Sequence, residues 1–311
     1  MTYSIDKHCN TAEEFIDYFS SALFLKPKHI FDAYNIGLNG FIFRGHSDYS
    51  WTLLPTAFRS GNPLKDYTPQ TAGIPENNDF DPICHLGWHM HSELRALFIF
   101  LETADKLGID TPIEYTNLKE HNELINNALD SKYDDHETIF PSAELLNSMA
   151  LAQHHGIQTR LLDWTESPYV AAFFAAINGS PLTEQGNIAK SEKISVIYLQ
   201  SEKLRKENSV ISVVNAPRRS NTFLRFQKGL FTYIPKANSY FIENKKWPSL
   251  EDINNLSGKE KVSINRVTLD SSQSLELLKI LYQHGITKAS LMPSLDNVAK
   301  SFMYIKTLFQ A

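Results

Sequence analysis

Two groups of residues in this chain have the types and spacing to do chemistry on an anionic ligand. The first is Phe43-Arg44-Gly45-His46, which closes an apolar run. The second is Gln153-His154-His155-Gly156-Ile157-Gln158-Thr159-Arg160-Leu161-Leu162-Asp163-Trp164-Thr165, which leads into a segment rich in Ala and Phe. A planar guanidinium pairs two phosphate oxygens at once, so Arg44 is a candidate anion clamp. Gly45 beside it would let the backbone approach a ligand closely. Thr159 and Thr165 are candidate partners for ligand hydroxyls, and Asp163 is the nearest candidate anion for stabilising positive charge. The competing reading makes Arg44 and Asp163 a structural ion pair tying two elements together. Trp164 and the apolar helix that follows it read as core rather than as a ligand platform.

Adjacent histidines point in different directions on a regular element, so His154 and His155 do not suggest a shared metal ion. Imidazole titrates near neutrality, which makes one of the pair, His155 for preference, a candidate acid/base or ligand-orienting group; the alternative is a satisfied turn histidine. His85 and His89 are four residues apart, but Leu86 stands where a zinc protease would have Glu, so they read as a solvated face. Arg218, Arg219, Arg225 and Lys228 interleave with Phe223, Phe226 and Phe231. Such a cluster could receive a nucleic-acid backbone and bases, against the alternative of ordinary surface cations.

These residues need elements to hold them. Asn39-Gly40 is a turn signal, after which Phe41-Ile42-Phe43 reads as a strand. Thr11 with Glu14 reads as a capping box opening a helix with Phe15, Tyr18, Phe19 and Leu23 on one face. Residues 61–80 read as a surface loop. The spacing of Leu94, Leu97, Phe98 and Leu101 predicts an amphipathic helix over about 87–106. Pro141 and Ser142 stand near the start of another helix. Ser167-Pro168 caps a helix that is apolar all round and ends at Gly179 and Pro181. Residues 194–199 and 229–234 read as strands, with a further strand around Val262, Ile264 and Val267 and a helix over 274–282 ending near Gly285. Strands and helices mix without regular alternation, which predicts an α+β fold.

At 311 residues, with a net charge of -5, the chain can bury a large core and is not a generic nucleic-acid coat, although a local basic groove is still compatible with that charge. No apolar run approaches the ~20 residues of a membrane helix, so no membrane role is expected. The N-terminus lacks the signature of a signal peptide. Cys9 and Cys84 make neither a disulfide framework nor a metal spacing, and a cytoplasmic location is expected.

The motifs carry a resemblance. Phe43-Arg44-Gly45 followed by Trp51, Leu53, Pro55 and Arg59 resembles the first block of the FRG domain family. Gln153-His154-His155-Gly156 with Thr159 to Thr165 looks like its second, Gln227 to Thr232 like its third, and Gly285-Ile286 with Met292 to Asp296 like its last, where Ser294 replaces an expected acid. The resemblance spans roughly residues 40–305. With the helix that the capping box opens, the chain divides into an N-terminal helical segment over 1–38 and one FRG-type unit over 39–311. The block order is also similar to that of ADP-ribosyltransferases, which have an aromatic–Arg pair on a first strand, a Ser/Thr turn before a helix and a Glu on a late strand. That similarity implies a central mixed or split β-sheet with flanking helices.

It also implies an enzyme that uses NAD as substrate, with no metal, either transferring ADP-ribose or hydrolysing NAD. Arg44 and Gly45 would hold phosphate, Thr159 and Thr165 the ribose, and Asp163, Gln227 and His155 would act at the reacting carbon. Gln227 stands where a Glu is usual and brings no charge, which Asp163 or Glu166 could supply. A toxin or phage-defence effector would suit this chemistry. The alternative is a non-enzymatic module that binds nucleic acid or protein.

Overall fold

The computed structural model describes residues 3–21, 40–61, 63–68, 81–111, 140–179, 191–200, 204, 209–214, 218, 221–256 and 261–310. Most of the expected loop at 61–80, together with Asn39, Pro181, Leu23 and Arg219, lies outside these residues.

Seven strands form one mixed sheet: β1 (Ile5–Cys9), β2 (Phe41–His46), β3 (Leu162–Thr165), β4 (Lys193–Gln200), β5 (Ser212–Val214), β6 (Gly229–Tyr233) and β7 (Ile264–Asp270), in the order β1-β7-β4-β2-β3-β6-β5. Only β1 and β7 run parallel; the other neighbours are antiparallel. Among the described residues the helices are α1 (Ala12–Phe19), α2 (Pro82–Lys106), α3 (Ala143–His154), α4 (Pro168–Gly179), α5 (Thr222–Phe226), α6 (Ala237–Asn244), α7 (Leu250–Leu256), α8 (Ser274–Gln283), α9 (Lys288–Leu291) and α10 (Leu295–Gln310). The fold is α+β, as the mixed order of elements predicts.

The N-terminal segment differs from the helical expectation. Residues 5–9 add an edge strand along β7, fixed by the ion pair of Asp6 with Arg266 at 2.6 Å, and only then does α1 begin. Thr11 caps α1 by accepting from the Glu14 N–H, but Glu14 returns its bond to the Asn10 N–H, one residue earlier than in the standard box. Asp81 and Pro82 start α2 five residues earlier than its apolar spacing indicates, with Asp81 accepting from the Ile83 N–H.

Alternation along the strands divides the core. Phe43, Val196, Tyr198, Val267 and Leu269 face α1, α4, α8 and the end of α10. Ile42, Ile197, Leu199, Leu162 and Trp164 face the opposite layer with Leu53, Phe58 and Leu250. Trp164 is core, as expected: it is 3% exposed and donates from Nε1 to Thr232 Oγ1 at 2.8 Å. A third cluster joins α2 and α3 to Val214, Leu224 and Phe231. Between α4 on one side and α3 with α5 on the other, a cleft opens over β3 at Asp163, the one residue of that strand that is not buried.

Candidate functional site

β3 is fully paired with β6, from Leu162 opposite Thr232 to Thr165 opposite Gly229. Its pairing with β2 is a single residue pair, Phe43 opposite Thr165. Gly45 and Asp163 would be the next opposed residues on that face, but the ladder stops short of them and the strands separate. Arg44 stands in the gap. Its Nη1 donates to the Asp163 backbone carbonyl at 2.6 Å, satisfying an acceptor that the ladder leaves open, and lies 3.6 Å from Asp163 Oδ2. Its Nε donates to His46 Nε2 at 3.1 Å. Burial, with the charges of Arg44 and Arg59, pushes His46 down to about 3, so its ring is neutral at physiological pH and free to accept. Burial also holds the Arg44 guanidinium below its ordinary range; Asp163 opposes this and Arg59 adds to it. An incoming anion would relieve both pressures.

The gap opens into a cleft of about 590 Å³. β3 forms its floor, Ala171 and Phe174 of α4 one wall, and the turn after α3 with Phe223 and Gln227 the other. The Arg44 side chain is 15% exposed and that of Asp163 49%, so the pair presents its acid to the cleft and keeps its base recessed. A neighbouring cavity of about 490 Å³ shares His155 and Phe223 with this one and extends it toward Phe100 and Pro293.

Arg44, Gly45, Asp163, Thr165, Gln227 and His155 all border the cleft. Thr159 does not. It is 3% exposed, donates from Oγ1 to Gln153 Oε1 at 2.9 Å and accepts from the Leu161 N–H, so its hydroxyl belongs to the fold. Thr165 is also engaged: its hydroxyl donates to the Gln227 carbonyl at 2.7 Å and accepts from the Ser167 N–H, tying β3 to the start of α4. Gly45 serves packing. A Cβ there would lie 2.0 Å from the Ala171 carbonyl oxygen, so the missing side chain admits the backbone of α4 rather than that of a ligand. Gln227 sits in the turn between α5 and β6, not on a strand, and its Nε2 makes only a 3.4 Å bond to the Leu291 carbonyl. Glu166, the alternative source of charge, is held bidentately by Arg218, which also donates to the Gly229 carbonyl.

His154 is the more enclosed of the two histidines, and its Nε2 is buried with no hydrogen-bond partner among the described residues. Burial, then neighbouring His155, lowers its pKa, with Asp163 opposing. The ring borders the cleft, and its Nε2 would have to be uncovered before it could bond a ligand hydroxyl. His155 caps α3, is exposed, and stacks on Phe100 at 5.9 Å. His89 is not solvated as expected: it lies 3.2 Å from Glu93 Oε1 with its side chain 14% exposed. Of the basic cluster, Arg218 is taken by Glu166 and Arg219 lies outside the described residues, so Arg225 and Lys228 are the exposed cations beside the cleft.

Gln153 escaped sequence reasoning although it lies inside the second motif. Its Nε2 donates to Asp163 Oδ2 at 3.0 Å, while its Oε1 accepts from the Thr159 N–H and hydroxyl. One amide thereby sets the carboxylate and the loop before β3. Gln153→Leu is expected to cost about 1–3 kcal/mol, since it strands the Thr159 N–H and hydroxyl in a buried position. Urea unfolding checks this, and an unchanged midpoint would mean the amide is dispensable.

Comparison with known proteins returns one family: the FRG domain model matches residues 39–183. The match takes in the first two motif blocks, whereas the segments at 227–232 and 285–296 lie beyond it. No curated protein and no solved structure matches the chain. Among the described residues, no helix is long and apolar enough to cross a membrane.

Proposed function

The chain belongs to the FRG domain family through residues 39–183, and from that premise and the cleft we propose that it binds NAD or a related nucleotide and transfers or hydrolyses its ADP-ribose. The observation that carries this reading is the recessed Arg44 guanidinium in the gap between β2 and β3, with the half-exposed Asp163 carboxylate 3.6 Å away at the cleft floor. A single mixed sheet with flanking helices is compatible with the mixed form of the sheet that the similarity to ADP-ribosyltransferases implies.

Cleaving the nicotinamide–ribose bond develops positive charge on the ribose carbon. A catalyst for it must fix the pyrophosphate and place negative charge near that carbon before the reaction begins. Arg44 supplies the fork for phosphate, and Arg59 adds positive potential from nearby. Asp163 supplies the negative charge, its carboxylate held in orientation by Gln153. Gln227 and His154 carry the polar atoms best able to bond ribose hydroxyls, because the hydroxyls of Thr159 and Thr165 are already engaged. The adjoining cavity beyond His155 offers room for an acceptor.

Asp163→Asn tests the chemical role, since it keeps the shape and removes the charge. The expected result is a fall in nicotinamide release of about 100-fold or more with NAD affinity retained, the pattern of a group acting on the transition state. Equal turnover in the two proteins would remove Asp163 from the chemistry.

A further inference from the structure

A third cavity is lined by residues of α2, α6 and the segment 57–68, none of which borders the cleft. It has a volume of about 330 Å³, within the range of small-ligand sites. Its walls include Trp88 and Trp247, and Trp247 stacks with Phe58 at 4.2 Å and with Phe241 at 4.3 Å. Its polar lining joins the hydroxyl residues Thr68 and Ser92 to ionisable side chains that are all bases. Arg59, Lys245, His85 and His89 border it, and no carboxylate does among the described residues.

Lys245 supplies a second observation. It ends α6 in the left-handed conformation, at φ 55°, where a residue with a Cβ is disfavoured and Gly or Asn is the usual choice. The fold holds a lysine in a glycine's place, and that lysine lines the cavity.

We propose that this cavity is a binding site for a small aromatic anion, an aromatic ring bearing a single phosphate or carboxylate, with Lys245 and Arg59 meeting the anion and Trp88 the ring. Cations over an aromatic wall recognise this chemistry through charge-assisted bonds and stacking. The cavity shares no lining residue with the cleft, although the charge of Arg59 is felt in both, and the proposal does not rest on the nucleotide reading.

Calorimetric titration of the whole protein with adenosine 5′-monophosphate and, separately, benzoate tests the proposal. At least one probe is expected to bind, and Lys245→Gly and Trp88→Leu are each expected to weaken it about tenfold or more. Lys245→Gly is expected to leave the melting temperature equal or higher, because glycine suits the left-handed position, so lost binding cannot be attributed to lost folding. Arg44→Ala is expected to retain this binding, which separates it from any nucleotide held in the cleft. Heat signals for neither probe would overturn the proposal. So would affinity unchanged in Lys245→Gly and Trp88→Leu, or affinity that disappears with Arg44→Ala alone.

Discussion

Arg160→Leu is expected to destabilise the protein by about 3–5 kcal/mol, the usual consequence of leaving one partner of a buried ion pair uncompensated. The side chains of Arg160 and Glu93 are 2% and 1% exposed. Arg160 donates from Nε to both Glu93 oxygens at 3.1 Å and from Nη2 to Oε1 at 2.7 Å, while its Nη1 donates to Asn238 Oδ1 at 2.9 Å. Asn238 in turn donates to the Phe140 carbonyl, and the guanidinium lies 4.5 Å from the Phe140 ring centre. The network locks α2 and α6 to the segment that enters β3, three residues ahead of Asp163. The double variant Glu93→Leu with Arg160→Leu is expected to lose less than the sum of the single changes, since it leaves no lone charge behind. Urea unfolding of the four proteins measures this, and additive losses would contradict the coupling.

The same pair predicts a pH dependence. Burial would raise the Glu93 carboxyl, but the charge of Arg160 and the bonds from His89 and Arg160 outweigh it and bring the group from its ordinary 4.5 down to about 2. A carboxyl lowered on folding contributes stability that is complete above 4.5 and is lost as pH falls toward 2. His46, lowered from 6.5 to about 3, acts in the same direction from a higher starting point, because the unfolded chain takes up its proton first. Stability should therefore decline from near pH 6.5 and steepen below 4.5. Arg160→Leu, with Glu93 left unpaired and driven toward its neutral form, should lack the steep lower part.

Gly45→Ala is expected to cost about 3 kcal/mol or more, at the upper end of overpacking changes. The new Cβ would lie 2.0 Å from the Ala171 oxygen and 2.8 Å from the Ala175 nitrogen. Both are backbone atoms inside α4, so no side-chain rotation relieves the clash. Ala171, Ala172, Ala175 and Ala176 are all buried, and this run of small residues lets the helix seat on β2 so closely. Pushing α4 outward would also move the cleft wall formed by Ala171 and Phe174. Thermal and urea unfolding report the loss; near-normal stability would mean that the helix does not sit against Gly45.

The glycine illustrates what a chain can and cannot disclose. Its place beside Arg44 invites a ligand-facing role, whereas the reason for it lies on an element more than a hundred residues later. The apolar helix at 168 and the strands at 41, 194 and 229 were legible because periodicity and caps are local signals. The pairing of Arg44 with Asp163 was legible as an alternative because both residues stand in motifs. The engagement of the Thr159 and Thr165 hydroxyls was not, since it depends on Gln153 and on the Gln227 backbone. Glu93 did leave a trace: it falls one turn from Met90 and Leu97 on the buried face of α2, where an acid requires a cation. Which cation, Arg160, is a matter of tertiary packing. The edge strand at 5–9 is too short and too polar for its pattern to reveal it; its partner β7 defines it.

The central claim is that Arg44 holds the phosphates of a nucleotide at the gap between β2 and β3. Calorimetric titration with NAD, for the wild type, Arg44→Lys and Arg44→Ala, with circular dichroism to establish folding, tests it most directly. The account predicts binding by the wild type, a loss of about ten- to a hundredfold in Arg44→Ala, and only partial rescue by lysine, which keeps the charge without the fork. A wild type without measurable affinity for NAD, or a folded Arg44→Ala that binds as tightly as the wild type, would contradict it and leave Arg44 as a structural bridge to the Asp163 carbonyl.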